Sequence, residues 1–166
     1  MEFKITYPNK EDIEKTNAFA LVAFGDPEAG MVVPNMENAL AVIELEKNNF
    51  VCIKEDDEPI AWSLVLPTRR EDMEEFLVQK ITEQELFDRA KAHPSFESLY
   101  IFAAITQPEY RLKGLAAKLL EYQIGYFKKQ YGVKDFYAWI LTPEGKALTE
   151  ALEKKFGEKV RTVSRV

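Results

Sequence analysis

The spacing of apolar residues changes several times along this chain. From Phe3 to Tyr7 apolar and polar side chains alternate, as they do in a half-buried strand. From Ile13 to Phe24 the apolar residues stand at helical spacing, and Asn9, a residue type that caps helices, precedes them. Asn35 opens a second segment of this kind with a broad apolar face. The pattern predicts a strand followed by two helices.

An antiparallel hairpin and a helical insert come next. Residues 50–55 and 60–66 are rich in strand-forming residues, and a charged turn at 56–59 joins them. Segment 67–96 has helical spacing instead, and Thr82 to Glu85 within it has the sequence of a capping box. The spacing predicts that this insert is helical.

Strands and helices alternate in the second half of the chain. Residues 99–105 are apolar without alternation, as in a strand covered on both faces. After them we predict a helix at about 114–130, a strand at 135–141, a helix at 143–156 and a strand at 159–166. A strand–helix–strand unit brings its two strands parallel. The sequence therefore predicts an α/β (α+β) fold in a single domain over residues 1–166. Its sheet would be mixed and largely antiparallel, with six or seven strands and helices on both faces.

Composition and charge exclude several classes of protein. Of the 166 residues, 46% are hydrophobic and 30% are charged, which is typical of a globular domain. The net charge of −6 and the scattered basic residues argue against a nucleic-acid partner and would suit a cationic acceptor. The single cysteine, Cys52, fits a reducing compartment, and no run approaches the ~18 apolar residues of a membrane span. We expect a cytoplasmic protein without a membrane partner or a metal site.

The strongest candidate for a binding site is the loop that follows strand 99–105. Its last part, Arg111-Leu112-Lys113-Gly114-Leu115-Ala116, stands where the next helix begins. The first amides of a helix have no partner within it, and the helix dipole adds partial positive charge there. Gly114 would let an anion approach the backbone, and Arg111 and Lys113 add positive charge. The loop predicts phosphate binding, and an ordinary helix start with exposed basic residues is the alternative.

This loop and its setting resemble the GNAT superfamily of acetyl-CoA-dependent acyltransferases. The hallmark of that family is a strand, then a [Q/R]-x-x-G-x-[G/A] loop, then a helix. Residues 111–116 match the loop, and they stand between the predicted strand 99–105 and the predicted helix. The order of elements extends the resemblance over nearly the whole chain. The resemblance implies that residues 111–116 bind the pyrophosphate of coenzyme A and that the two central parallel strands splay apart. It also implies that Ala104, Ile105 and Thr106 pair with the pantetheine arm, and that an amide near Ile105 or Thr106 polarises the thioester carbonyl.

Three features depart from the family pattern. The helix at 143–156 lacks the tyrosine that protonates the departing thiolate; Thr149 or Leu152 stands there, and Thr142 replaces the usual asparagine at the helix start. The proton acceptor is open between Glu97 and Tyr100, and a solvated strand end and a core tyrosine are the plainer interpretations of these two residues. The C-terminus has room for one strand where the family commonly has two. The second strand is either absent or supplied by the second subunit of a homodimer. Alternatively, the insert at 67–96 covers the acceptor side and sets specificity.

The resemblance implies an N-acetyltransferase that moves an acetyl group from acetyl-CoA to a primary amine of a small molecule or peptide. A domain that binds acetyl-CoA as a sensor or scaffold without catalysis is the alternative, and the missing tyrosine favours it. An unrelated phosphate-binding α/β protein is a third hypothesis. The sequence lacks the G-x-x-x-x-G-K-[S/T] loop that would support it.

Overall fold

The strands lie across the sheet in the order in which they occur along the chain. The computed structural model describes residues 2–164. Strands β1 to β6 span Ile5–Thr6, Phe50–Glu55, Glu58–Thr68, Ser98–Thr106, Asp135–Ile140 and Val160–Ser164. The strands from β1 to β4 pair antiparallel, whereas β4 with β5 and β5 with β6 pair parallel. The predicted mixed sheet is confirmed; residues 165 and 166 of the predicted last strand lie outside the described residues.

Helices cover both faces of this sheet. Helices α1 to α6 span Lys10–Phe24, Met36–Leu45, Arg70–Leu77, Glu83–Ala92, Leu115–Tyr131 and Pro143–Phe156. Helices α5 and α6 connect parallel strands in succession and lie on the same face, because such crossovers share one hand. Helices α1 to α4 pack on the opposite face. The core therefore has two layers with the sheet between them.

The helix ends lie where short-range sequence patterns predict them. The Asn9 side chain accepts from the Asp12 amide at 2.8 Å, and the Asp12 carboxylate accepts from the Asn9 amide at 2.8 Å. Thr82 and its capping-box partner are bonded in the same reciprocal way at the start of α4. Gly132 and Gly157 end α5 and α6 with φ of +69° and +67°, a conformation that glycine adopts without strain.

Strand β3 is longer than the sequence predicts, so the helical insert is shorter than the predicted 67–96. The strand runs from Glu58 to Thr68, and the helices of the insert occupy Arg70 to Ala92. Pro67 pairs with β4, but β2 pairs with β3 only as far as Leu64. Because β3 has no neighbour on that side beyond Leu64, a proline costs no ladder bond there.

An extra residue in β4 changes which face of the sheet the odd-numbered side chains of the strand point to. The register of β4 against β3 skips Phe102, which has no partner opposite it. Leu99 and Ile101, before it, pack in the core beneath α5 and α6. Ala103 and Ile105, after it, pack in the core beneath α1 and α2. The bulge thus reverses the usual two-residue alternation of the strand.

Candidate active site

Strands β4 and β5 separate part of the way along their length. Their ladder runs from the pair Ser98–Asp135 to the pair Ile101–Ala138. Both strands continue beyond this point, β4 to Thr106 and β5 to Ile140. The separation begins at the bulge, and it leaves a gap between two strands that each lack a partner on that side. Such a gap can accept an extended ligand chain.

The main chain of β4 presents hydrogen-bonding groups to this gap. The Gln107 amide donates to the Ile60 carbonyl at 2.9 Å, which shows that the main chain of Gln107 is directed toward β3. Because alternate residues of an antiparallel ladder bond to opposite sides, the main chain of Ile105 bonds to β3. The N–H and C=O groups of Ala104 and Thr106 therefore point into the gap. Of the two amides predicted to polarise the thioester carbonyl, that of Thr106 is directed there and that of Ile105 is directed to β3. An extended chain lying there could pair with them as an added strand does.

Helix α5 begins without a side-chain cap. Its N-cap residue is Gly114, and the first bond of the helix runs from the Lys118 amide to the Gly114 carbonyl at 3.0 Å. The amides of Leu115 and Ala116, in the first turn, have no acceptor within the helix. A Cβ atom built on Gly114 meets no atom within 4 Å among the described residues. The space beside Gly114, the residue that precedes these amides, is therefore open.

The loop that leads into α5 has the backbone form of an anion-binding concavity. The angle φ is +67° at Leu112 and +72° at Gly114, whereas Lys113 between them does not have a positive φ. Alternation of this kind turns successive amides toward one side. Arg111, Leu112 and Lys113 are exposed, and the Lys113 ammonium lies 5.9 Å from the centre of the Tyr110 ring. The loop thus combines directed amides with two cationic side chains.

Thr142 lies at the same edge of the sheet as this loop. The C-terminal ends of parallel strands meet at one edge, and Thr142 directly precedes α6 after the end of β5. Its hydroxyl oxygen accepts from the Gly145 amide at 3.0 Å. The Thr149 hydroxyl donates to the Gly145 carbonyl at 2.9 Å, and Leu152 is buried in the core. The residues at the position of the family tyrosine are therefore engaged within α6 and its core.

A cavity of about 90 Å³ lies beside the gap, on the face that α1 and α2 cover. Most of its lining is apolar and comes from the α1–α2 loop, β3 and β4, including Val32, Val33, Trp62, Leu64, Phe102 and Ala103. Asn17 and Asn38 add amide groups, and none of the described residues that line the cavity is ionisable. A larger depression of about 510 Å³ lies at the opposite edge of the sheet, near the starts of β5 and β6, away from the gap.

Neither a family model nor a curated protein sequence matches the chain. Solved structures do. The GNAT-like decarboxylase GphF in complex with isobutyryl-CoA matches at a TM-score of 0.58 and 14% identity, covering 79% of this chain and 62% of that one. Diaminobutyrate acetyltransferase EctA from Paenibacillus lautus, in complex with diaminobutyric acid and coenzyme A, matches at a TM-score of 0.57 and 12% identity. The match covers 94% of this chain and 77% of that one. AAC(6')-Iy, in complex with a bisubstrate analogue of coenzyme A, matches at a TM-score of 0.56 and 11% identity. The match covers 97% of this chain and 93% of that one. The chain has the GNAT fold.

The GNAT fold agrees with the resemblance seen in the sequence. At identities of 11–14% the likeness establishes the fold. The chain spans 62% of the GphF chain, so it corresponds to only part of that protein. Within the GNAT fold, the separation of β4 from β5 agrees with the predicted splay of the central parallel strands.

The two predicted proton acceptors occupy different environments in this GNAT fold. Glu97 is exposed just before β4 begins, where the Ser95 hydroxyl donates to its carboxylate at 3.2 Å. It lies five residues before the bulge at Phe102, a distance of roughly 17 Å along a strand. Tyr100 is 1% exposed and lies next to the point where the strands separate. The structure brings Tyr100 close to the gap and does not bring Glu97 there.

Behind Tyr100 lies Glu83, a buried acid that the sequence does not single out. Its carboxylate accepts from the Tyr100 hydroxyl at 2.6 Å and from the Val32 amide at 2.9 Å. Burial raises the pKa of Glu83, and the two hydrogen bonds oppose that rise without cancelling it. Burial and the adjacent carboxylate raise the pKa of Tyr100. In the sequence Glu83 is the first residue after the cap Thr82, where acids are common because they face a helix N-terminus, so the pattern gives no sign of burial.

Other reactive or membrane-associated features are limited in the described part of the chain. Cys52 is fully buried, and burial raises the pKa of its thiol to about 12, so it is a packing residue. No cluster of histidine, cysteine, aspartate or glutamate side chains that could hold a metal ion occurs among residues 2–164. Nor is any helix there sufficiently long and apolar to span a bilayer.

Proposed function

We propose that the protein is an acyltransferase that moves an acetyl group from acetyl-CoA to a primary amine. One observation carries the proposal: the gap between β4 and β5 opens at the same edge of the sheet as the uncapped start of α5. A ligand with an extended arm and a phosphate group fits this combination, and coenzyme A has both. Complexes of GphF, EctA and AAC(6')-Iy with coenzyme A or its derivatives support the proposal by analogy of fold.

In the proposed complex, the loop from Arg111 to Ala116 binds the pyrophosphate. The pantetheine arm pairs with the free main-chain groups of Ala104 and Thr106 and runs beside Ile105, and Thr142 lines the opposite side. The α5 amides and the cations Arg111 and Lys113 supply the positive charge that a diphosphate needs. This arrangement assigns a role to each of the predicted cofactor residues.

The proposed reaction is direct attack of the amine nitrogen on the thioester carbonyl carbon. The carbon–sulfur bond breaks, the thiolate leaves, and the new ammonium group loses a proton. A main-chain amide of Ala104 or Thr106 would stabilise the oxyanion, and positioning would supply much of the rate. Water can protonate the thiolate, since a thiol pKa of roughly 8.5 makes it an adequate leaving group.

Tyr100, backed by Glu83, is the better placed of the two predicted proton acceptors. Its main chain lies one residue before the end of the ladder with β5, and the Glu83 carboxylate that accepts from its hydroxyl can take the hydroxyl proton. Glu97 would have to act through a chain of water molecules, because about 17 Å of strand separates it from the bulge.

A non-catalytic acetyl-CoA-binding domain is the second candidate function. The cavity beside the gap has no ionisable lining residue among those described, and α6 presents no tyrosine. A sensor or scaffold would need neither group. Binding of acetyl-CoA without thiol release in the presence of amines would favour this function.

The test compares Gly114→Glu with a matched control, Gly132→Glu. Both glycines border α5, have φ near +70° and have open space around them, so both substitutions impose similar backbone strain of about 1–2 kcal/mol. Only the carboxylate at position 114 would face the diphosphate. We expect calorimetry to show acetyl-CoA binding weakened at least a hundredfold by Gly114→Glu and little changed by Gly132→Glu.

Thiol release from acetyl-CoA over a pool of primary amines provides the catalytic readout. Release that depends on an amine and is lost in Gly114→Glu supports the transferase. Equal acetyl-CoA affinity in all three folded proteins would contradict the placement of the pyrophosphate.

A further inference from the structure

The cavity beside the gap is positioned to hold the part of the acceptor that does not react. Phe102 and Ala103, which line it, directly follow the last residue of β4 that pairs with β5. A thioester lying at the start of the gap would therefore adjoin the cavity. This inference rests on the proposed function, because it takes the gap as the site of the thioester.

The cavity has its own opening to solvent. Val33 is 42% exposed, and Asn35 is also exposed, so the opening lies between α1 and α2. The loop from Arg111 to Gly114 lies at the start of α5, on the other face of the sheet. A second substrate could thus enter the cavity while coenzyme A occupies the gap, whereas an acyl group would arrive through the gap itself. The separate opening favours an acceptor as the occupant.

The chemistry of the lining selects among acceptors. Most of the side chains that line the cavity are aliphatic or aromatic. Its polar lining residues, Thr16, Asn17, Asn35 and Asn38, are uncharged, and no described lining residue carries a charge. Moving a charged group into such surroundings costs several kcal/mol when no opposite charge compensates it. A hydrocarbon group gains free energy in the same place.

We propose that the acceptor is an amine whose remaining part is a small, uncharged hydrocarbon group, aryl or branched alkyl, and that this group binds in the cavity. Amines whose remaining part is cationic are disfavoured. The acidic charge of the protein as a whole does not alter this selection, because the cavity itself offers no carboxylate.

Two amines with the same reactive group but different remaining parts test the proposal. We would measure binding of 2-phenylethylamine and of 1,4-diaminobutane to the full chain saturated with coenzyme A, and thiol release from acetyl-CoA with each amine. We expect at least tenfold tighter binding, and at least tenfold higher kcat/KM, for 2-phenylethylamine. Equal or better binding of diaminobutane, or no binding of either amine, would overturn the proposal.

A charge introduced at the cavity provides a second test. Asn17→Asp is nearly isosteric and places a carboxylate on the lining, whereas Gln130→Glu adds the same charge at an exposed position near the end of α5. We expect the preference for 2-phenylethylamine over diaminobutane to fall at least tenfold in Asn17→Asp and to be unchanged in Gln130→Glu. An unchanged preference in Asn17→Asp contradicts the proposal.

The two readouts separate this inference from the proposed function. Selective binding of 2-phenylethylamine without thiol release supports the assignment of the cavity and contradicts amine acetylation. Thiol release that is as fast with diaminobutane as with 2-phenylethylamine supports acetylation and contradicts the assignment of the cavity.

Discussion

The Glu83 carboxylate joins two segments that are far apart in the sequence. It accepts from Tyr100 on β4 and from Val32 in the α1–α2 loop. The neighbouring Gln84 amide donates to the Gly30 carbonyl at 2.9 Å. The start of α4 thus fastens the loop whose residue Val32 lines the cavity. Glu83 therefore positions this loop in addition to its contact with the Tyr100 hydroxyl.

The raised pKa of Glu83 predicts a specific dependence of stability on pH. Burial raises its pKa above the ordinary value of 4.5, so the folded chain holds the proton more tightly than the unfolded chain does. The associated stability is fully present below pH 4.5 and is lost as pH rises through the folded-state pKa. The free energy of unfolding of the wild type, minus that of Glu83→Gln, should therefore fall as pH rises and then level off.

Urea unfolding at a series of pH values measures this difference. Glu85→Gln, which removes an exposed acid from the same turn of α4, is the control. A difference between wild type and Glu83→Gln that stays constant from about pH 4 to pH 8 would contradict the prediction.

The residues that the sequence located are those whose roles are set by nearby residues. The caps at Asn9, Thr82 and Thr142, and the position of Gly114 before a helix, follow from patterns a few residues long. The role of Glu83 depends on Val32, 51 residues away in the chain. Such a contact leaves no periodic pattern in a single sequence.

At the scale of elements, a buried polar side chain fixes α5 against the sheet. Gln123 is fully buried, accepts from the Ser63 hydroxyl at 2.6 Å and donates to the Asn48 carbonyl at 2.9 Å. A buried group that loses its partner costs about 1–3 kcal/mol. We expect Gln123→Leu to lower the free energy of unfolding by about 3 kcal/mol, because it leaves several groups unpaired.

Ser63→Ala and the double variant complete this test. Ser63→Ala should cost about 1 kcal/mol, and the double variant should cost less than the sum of the two single variants, since both remove the same bond. Denaturant unfolding of the four proteins gives the coupling. Strict additivity would show that the Ser63–Gln123 bond contributes nothing to the docking of α5.

Most of the elements could be predicted from the sequence, but the bulge in β4 could not. Helical spacing, capping residues and glycine stops located the helices to within a few residues. The run from Leu99 to Ile105 is apolar throughout, so it contains no alternation whose interruption would reveal Phe102 as an extra residue. The extension of β3 through Pro67 was missed because proline argues against a strand unless the neighbouring edge is known to be free.

At the scale of the whole molecule, the fold provides separate routes for two substrates. Coenzyme A would bind along the gap and α5, and the acceptor would enter between α1 and α2. The strand order was predictable because hairpins and right-handed crossovers leave few alternatives. Within residues 2–164, β6 pairs only with β5. A homodimer whose second subunit supplies the missing strand stays a prediction.

Ligand-induced stabilisation of the whole molecule can distinguish coenzyme A from other phosphate ligands. A ligand at a hundred times its Kd adds about 2.7 kcal/mol of stability, which corresponds to about 5–10 °C in Tm for a chain of this size. We expect coenzyme A to produce this shift and ATP at the same concentration to produce a much smaller one, because ATP has no arm to pair with β4. Equal shifts would favour a general phosphate-binding protein.

The extra residue at Phe102 makes the site depend on the length of a strand more than on any one side chain. Deletion of that residue would restore regular alternation through β4, with Ala103 and Ile105 still opposite Leu64 and Trp62 of β3. It would also allow β4 to continue its ladder with β5, which would close the gap. A substitution at position 102 keeps the residue count and therefore keeps the gap. The site should consequently tolerate changes of residue type in β4 far better than single-residue insertions or deletions.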